Sequence, residues 1–370
     1  MWKYIIFGLL LGVGAFGSVY WYLYMSGSDA LEPARTTLEK ITEKPLEKYT
    51  FENLRKTEFE AGKITIGERV EEESDEFDSY IYYFEVKNLN EPEKPYRASG
   101  LMNIPTEVGE YPVIVQFRGF VPTESFTPGE GTRRSGEYFA SNAFITLAPD
   151  YLGFGESDKP SEDALEERFQ TYTMALSMLA SVENINKALD EFEVENNTQE
   201  REEGEAEENE IESRWNGEDI GIWGHSNGGH ISLSALALSG VKYPTVLWNP
   251  VSKAFPYSIL YYTDEYEDEG VGLRRLIADF ESTYDISFYS PPNYYKWIKA
   301  PIQLHQGLTD REILPWWSEE LAKRLEEEDV EVEYITYPNA DHNLMPDGWN
   351  SAVVSSVEYY VNKFEAENED

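Results

Sequence analysis

The sequence predicts an α/β protein with a mostly parallel central sheet and helices on both of its faces. From residue 112 onward, short continuous apolar runs alternate with helical segments, a pattern typical of strands buried on both faces and joined by crossover helices. Before that point, three β-rich stretches are separated by polar residues. These stretches predict an antiparallel margin at the amino-terminal side of the same sheet.

The individual elements follow from these runs in chain order. The antiparallel margin is predicted at Ile64–Val70, Tyr80–Val86 and Tyr96–Ile104. The buried strands are predicted at Val113–Phe117, Ala143–Leu147, Ile220–Trp223, Thr245–Trp248, Ile302–Leu304 and Val330–Tyr337. The helices are predicted at Ala164–Leu189, His230–Leu238, Trp317–Glu327 and Ser351–Phe364.

The amino terminus has the features of a membrane anchor. No charged residue occurs from Tyr4 to Met25, a length that can cross a hydrocarbon core about 30 Å thick. Lys3 gives the leading flank a positive charge, which favours the cytoplasmic side and leaves the rest of the chain outside the cytoplasm. The alternative is a signal peptide cleaved near Ser26–Ser28, which would yield a secreted protein.

The chain therefore divides into an anchor (residues 1–28), a tether (29–62) and one catalytic-size domain (63–370). Two insertions interrupt this domain. Residues 193–218 are rich in glutamate and are expected to be solvated and mobile. Residues 252–298 contain many aromatic side chains between two core strands, and they are expected to form a cap over the site.

Composition excludes several functions. With 70 acidic and 30 basic residues, the net charge is −40, which would repel nucleic acids. The absence of cysteine excludes disulfides, thiolate zinc sites and a cysteine nucleophile. We expect no metal or other cofactor. The expected partners are a small-molecule or short peptide substrate and the membrane that holds the anchor.

The motif Gly224–Gly229, with the sequence GHSNGG, directly follows an apolar run and precedes a helical segment. A sharp strand-to-helix turn with small flanking residues exposes its central serine at a helix amino terminus. The sequence therefore predicts Ser226 as the nucleophile of an acyl-transfer reaction.

A serine nucleophile needs a base, and histidine is the expected one. Of the four histidines, His342 follows the last core strand on a loop, whereas the others are His225, His230 and His305. Asp310 lies just past the strand Ile302–Leu304, at the edge where ligands bind in open α/β sheets. It is therefore predicted to orient His342 in preference to the neighbouring Asp341.

The oxyanion of the tetrahedral intermediate needs backbone donors. One is predicted to be the N–H group of Asn227, directly after the nucleophile. The other is predicted on the loop after Val113–Phe117, at Phe120, with Val121 as the alternative.

Together these segments resemble the α/β-hydrolase superfamily, and specifically the prolyl oligopeptidase-like catalytic domain. The resemblance rests on Gly224–Gly229, on Ala148–Ser157 after the second core strand, on the acid loop Pro301–Pro315 and on the histidine loop Tyr337–His342. The order nucleophile, acid, histidine also agrees with that fold. One departure is that Arg118-Gly119 stands where a His-Gly pair is more usual.

The resemblance implies a serine hydrolase that cleaves an amide (peptide) or ester bond through an acyl-enzyme. No propeller-sized region precedes the catalytic domain in this sequence, so a carboxylesterase acting on small esters is the main alternative. A non-catalytic binding protein on the same fold is the third, because a fold alone does not establish an activity.

Overall fold

The structure is a computed structural model that describes residues 44–70, 74–203, 211–263 and 268–367, with backbone only for 195–203 and 367. The chain forms two compact units, Met1–Glu47 and Lys48–Asp370. The predicted anchor (residues 1–28) and residues 29–43 of the predicted tether lie outside the described residues. No helix within the described ranges is long and apolar enough to cross a membrane.

The second unit is built on a sheet of nine described strands in the order β1-β2-β3-β5-β4-β6-β7-β8-β9. The strands are β1 (Ile64–Val70), β2 (Phe77–Val86), β3 (Tyr96–Pro105), β4 (Glu110–Phe117), β5 (Ile145–Pro149), β6 (Arg214–His225), β7 (Thr245–Trp248), β8 (Ile302–Gly307) and β9 (Val332–Tyr337). The pairs β1–β2, β2–β3 and β3–β5 are antiparallel, and the remaining five pairs are parallel. The mostly parallel sheet with an antiparallel amino-terminal margin is therefore confirmed.

Helices cover this sheet. The α-helices are α1 (Phe51–Leu54), α2 (Arg133–Ala140), α3 (Ala164–Ser181), α4 (Ile185–Glu203), α5 (Asn227–Ser239), α6 (Tyr257–Leu260), α7 (Val271–Glu281), α8 (Pro315–Glu326) and α9 (Trp349–Glu367). Short 3-10 turns occur at Glu47–Tyr49, Thr123–Ser125, Val182–Asn184, Ile286–Tyr289 and Pro291–Trp297. Every residue of β5, β7 and β8 is buried. Both faces of these strands are therefore covered, which explains their continuous apolar sequence.

Two predicted boundaries differ from the structure for local reasons. The predicted strand start at Ala143 is occupied by a turn after α2, in which Ala143 has a φ of 66°, so β5 begins at Ile145. The helix predicted over Ala164–Leu189 is divided after Ser181, whose hydroxyl donates to the Ser177 carbonyl at 2.7 Å. Such bonding within a helix tends to bend it.

The structure describes both ends of the predicted acidic insertion over residues 193–218 and leaves its middle outside the described ranges. Helix α4 continues to Glu203, residues 204–210 lie outside the described ranges, and β6 begins at Arg214. The Arg214 guanidinium lies 2.9 Å from the Glu193 carboxylate, and the Asn186 side chain bonds both the N–H and the carbonyl of Trp215. These contacts tie the helix to the start of the strand.

The aromatic segment over residues 252–298 contains α6, α7 and two of the 3-10 turns. Several of its rings pack inward. Tyr289 stacks on Phe169 of α3 with ring centroids 5.0 Å apart, and Phe280 contacts Phe255 and Tyr289 edge-on. All four rings are buried, so this part of the segment contributes to the protein core.

Candidate active site

Ser226 lies at the junction of β6 and α5, in the left-handed region with φ 56° and ψ −121°. This unfavourable conformation is held by three backbone bonds: its N–H donates to Trp248 (3.0 Å), and its carbonyl accepts from Gly229 (3.0 Å) and Val251 (2.9 Å). A β-carbon at Gly228 would lie 1.8 Å from the Phe117 carbonyl oxygen. Only glycine fits there, which is the physical reason for the motif.

The structure brings Asp310 and His342 together from the ends of two neighbouring strands. The Nδ1 atom of His342 lies 2.9 Å from Oδ2 of Asp310. The second oxygen of this buried carboxylate accepts the N–H groups of Glu312 (2.8 Å) and Ile313 (2.9 Å). When the imidazole is neutral and Nδ1 carries the hydrogen, Nε2 is left as a proton acceptor. The arrangement suits a general base.

The Ser226 hydroxyl is not yet bonded to that base: within the described residues it makes no hydrogen bond. Instead, the largely exposed carboxylate of Glu312 lies 3.5 Å from His342 Nε2. A substrate-free enzyme often has long contacts of this kind that tighten when substrate binds. His225, directly before Ser226, nevertheless contacts the His342 loop.

Two residues that the sequence analysis did not assign hold the His342 backbone. The His342 carbonyl accepts bonds from Nε2 of His225 (2.9 Å) and from the side-chain amide of Asn249 (2.7 Å). The Asn249 side chain also accepts the N–H of Gly307 at 2.8 Å, which links the ends of β7 and β8 to the histidine loop. The sequence signal that could have indicated Asn249 is its position directly after a buried strand.

His225 is held neutral in this position. Its ring lies 4.7 Å from that of His342, centroid to centroid. Burial, followed by the nearby His342, lowers the pKa of His225 to about 4. Since a carbonyl oxygen can only accept, Nε2 of His225 carries the hydrogen. His225 therefore supports the backbone of His342, the predicted base, through a hydrogen bond that occupies its own Nε2.

The remaining two histidines lie in the core. His305 contacts the Tyr337 hydroxyl and the Gln303 side-chain oxygen, both at 2.8 Å, and His230 contacts the Tyr172 hydroxyl at 2.9 Å. Burial lowers the pKa of each to about 3. These contacts fit packed, neutral histidines.

These buried histidines predict acid sensitivity. Their folded pKa values lie below the unfolded value of about 6.5, so the unfolded state binds more protons between those values. The free energy of unfolding should therefore fall as the pH drops from about 6.5 towards 4, by on the order of 3 kcal/mol for each histidine at the lowest pH. Urea unfolding between pH 7 and pH 4 measures this loss. His305→Gln should reduce the slope of the free energy of unfolding against pH. An unchanged slope in that variant would contradict the assignment for His305.

The predicted oxyanion donors lie on two segments beside Ser226. Asn227 is the first residue of α5, and Phe120 follows β4 with a side chain that is 84% exposed. Neither N–H group donates a hydrogen bond within the described residues. A β-carbon at Gly119 would lie 2.9 Å from Cβ and 3.4 Å from Oγ of Ser226. The loop with Phe120 is therefore in direct contact with Ser226, the predicted nucleophile, and Val121, the alternative, is buried.

The chain matches a known protein family and is similar in structure to solved proteins. Residues 207–366 match the model of the prolyl oligopeptidase family, a range that includes Ser226, Asp310 and His342. The chain is similar in structure to acetyl xylan esterase 1 from Thermoanaerobacterium sp. JW/SL YS485, with 16% identity, a TM-score of 0.56, and 86% of this chain and 94% of that one covered. The acetyl xylan esterase from Paenibacillus sp. R4 is also similar, with 16% identity and a TM-score of 0.50. The similarity covers 86% of this chain and 96% of that one.

No curated protein sequence matches this chain. At 16% identity, the two esterase structures show a shared fold and nothing more. Together with the family match and the sheet topology, they confirm the predicted α/β-hydrolase fold.

Proposed function

The chain carries a prolyl oligopeptidase family domain over residues 207–366 and is a serine hydrolase, and from that premise we propose that it cleaves an amide (peptide) or ester bond through an acyl-enzyme on Ser226. The observation that carries this proposal is the 2.9 Å contact between Asp310 and His342, beside the strained turn that presents Ser226. The base and the residue that orients it are more than 80 positions from the nucleophile in sequence, and the fold brings their loops together.

The geometry supports the following steps. Nε2 of His342 takes the proton of the Ser226 hydroxyl as its oxygen attacks the carbonyl carbon. Asp310 holds the ring and stabilises the imidazolium that forms. The N–H groups of Asn227 and Phe120 then bind the oxyanion. His342 returns the proton to the leaving group, and a water molecule, activated by the same ring, hydrolyses the acyl-enzyme.

Gly119→Ala tests the contact between the oxyanion loop and the nucleophile. The added methyl group would lie 2.9 Å from Ser226 Cβ, so the loop must move and its donor with it. We expect kcat to fall by roughly 10²-fold, the scale of losing one oxyanion donor. Gly109→Ala is the matched control, since the three atoms nearest to its methyl group would all belong to the Tyr111 side chain. Full kcat in a stably folded Gly119→Ala protein would contradict this placement of the loop.

Two substrate classes have support. The family match favours an amide bond, since the family is one of oligopeptidases. A small ester is the second candidate, because attack by an activated serine hydroxyl cleaves an ester through the same acyl-enzyme steps. A panel of aminoacyl p-nitroanilides and p-nitrophenyl esters separates the two. We expect turnover of the anilides, and esterase activity alone would establish the second candidate.

We also propose that the apolar segment Tyr4–Met25 anchors the protein in a membrane with the catalytic domain outside the cytoplasm. The support is the uncharged run and the basic Lys3 that precedes it. The full-length protein should remain with membranes after alkaline extraction. A mature chain that starts near Asp29 would instead indicate a cleaved signal and a secreted enzyme.

A further inference from the structure

Arg118, the first residue after β4, is an unusual buried cation. Its side chain is almost fully enclosed, with a relative exposure of 4%. It makes no ion pair within the described residues, and the Asp150 and Glu130 carboxylates favour its charge from a longer distance. The guanidinium instead donates to two backbone carbonyls, those of Gly119 at 3.0 Å and Asp150 at 2.9 Å.

Three aromatic rings surround this guanidinium. Its central carbon lies 5.0, 4.6 and 4.2 Å from the ring centres of Phe126, Tyr151 and Phe154, distances suited to cation–π attraction. Burial lowers the pKa of Arg118 from its usual value. The Nε atom is buried without a hydrogen-bond partner in the described part of the chain. The fold thus tolerates a costly buried charge, and both hydrogen bonds that this guanidinium donates go to backbone carbonyls.

The contact with Gly119 has a geometric consequence for the next residue. A peptide group is planar and trans, so the carbonyl of Gly119 and the N–H of Phe120 belong to one rigid plane and point in opposite directions. A guanidinium that holds the carbonyl therefore also sets the direction of the N–H. That N–H makes no bond within the described residues, and the backbone of Gly119 lies against Ser226.

From these contacts we propose that Arg118 is a positioning residue that orients the Phe120 N–H as an oxyanion donor. The inference rests on the proposed function, because it assumes an acyl transfer at Ser226. A cation on the carbonyl side also polarises the peptide and strengthens its N–H as a donor. Arg118 would thus act on the transition state without touching substrate.

Arg118→Met tests this role, because methionine fills part of the same space without charge or donors. Since one oxyanion donor is worth about 10²- to 10³-fold in kcat, we expect its misorientation to lower kcat by about 10- to 100-fold. We expect KM to stay within about twofold. Affinity for an arylboronic acid, whose adduct with serine imitates the tetrahedral intermediate, should fall by the same factor as kcat. Arg97→Met is the matched control, since Arg97 also stacks on a ring, that of Tyr83 at 3.7 Å, but is largely exposed.

The parallel loss of kcat and boronate affinity separates positioning from a merely structural role. A folded Arg118→Met protein with unchanged kcat and boronate affinity would overturn the proposal, as would a loss of kcat without a loss of boronate affinity. If the methionine variant does not fold, Arg118→Lys decides by the same two measurements. Lysine keeps the charge but cannot hold two carbonyls in a fixed plane, so a parallel loss of about 10-fold is expected there.

A fluorophosphonate probe distinguishes this inference from the proposed function. If the unmodified enzyme is not labelled at Ser226, the proposed function itself fails. If it is labelled and the Arg118 variants behave like the unmodified enzyme in both measurements, only the role of Arg118 is refuted.

Discussion

Ser226→Ala is expected to abolish covalent labelling by a fluorophosphonate probe and to lower kcat by roughly 10⁶-fold. The variant keeps the backbone of the turn but removes the oxygen that forms the acyl-enzyme. The residual rate would come from the oxyanion donors and from substrate binding. Labelling with the probe, followed by identification of the modified peptide, and steady-state kinetics with a p-nitrophenyl ester measure both effects.

Ser234→Ala is the matched control for this variant. Ser234 lies on α5, the helix that begins directly after Ser226, and its hydroxyl donates to the carbonyl of His230 at 2.7 Å, one turn earlier. Its removal should leave labelling and kcat within about twofold, as expected for a change that touches neither substrate nor base. Persistent labelling of Ser226→Ala would refute Ser226 as the nucleophile. Absence of labelling and of activity in the unmodified protein as well would favour a binding protein on the same fold.

Asp310→Asn is expected to lower kcat by about 10⁴-fold. The amide is neutral, so it stabilises the imidazolium poorly, and its NH₂ group can face Nδ1 and select the wrong tautomer of His342. The oxygen that accepts the N–H groups of Glu312 and Ile313 can be retained, so the loop should stay folded. Steady-state kinetics together with thermal unfolding separates a loss of chemistry from a loss of structure.

Asp341→Asn is the control for this change. Asp341 is the sequence neighbour of His342, and one oxygen of its exposed side chain accepts the N–H groups of Asn343 and Met345 at 2.9 Å. An amide oxygen can do the same, so kcat should change little. The opposite pattern, with Asp341→Asn inactive and Asp310→Asn active, would transfer the orienting role to Asp341.

The bounds of some strands could be predicted from the sequence and those of others could not, for a physical reason. The bounds predicted for β1 and β7 agree with the structure, because each is a local run enclosed by polar or turn residues. Strand β6 extends from Arg214, well before the predicted Ile220. The residues before Ile220 form no apolar run, since Trp215 is the single large apolar side chain among them. Arg214 and Trp215 pair with β4 across a register shift, and the Trp215 N–H donates to the Asn186 side chain. Pairing of this kind is set by distant partners and leaves no periodic pattern.

Some features of the candidate site could likewise be predicted from the sequence, and others could not. The roles proposed for Ser226, Asp310 and His342 follow from a turn motif, from strand ends and from chain order. The contacts of His225, Asn249 and Arg118 with backbone carbonyls could not be predicted, because a carbonyl acceptor is present at every residue and carries no sequence signature.

The amino-acid sequence by itself determined the class of fold and the sharp turn at Gly224–Gly229, and it limited the prediction of acyl transfer to a small set of side chains. These depend on steric limits and hydrophobic runs within a few neighbouring residues. Only the tertiary structure decided which groups support the histidine loop and which cation holds the Gly119 carbonyl. Such contacts join segments far apart in the chain, and their existence depends on how the whole sheet twists and packs.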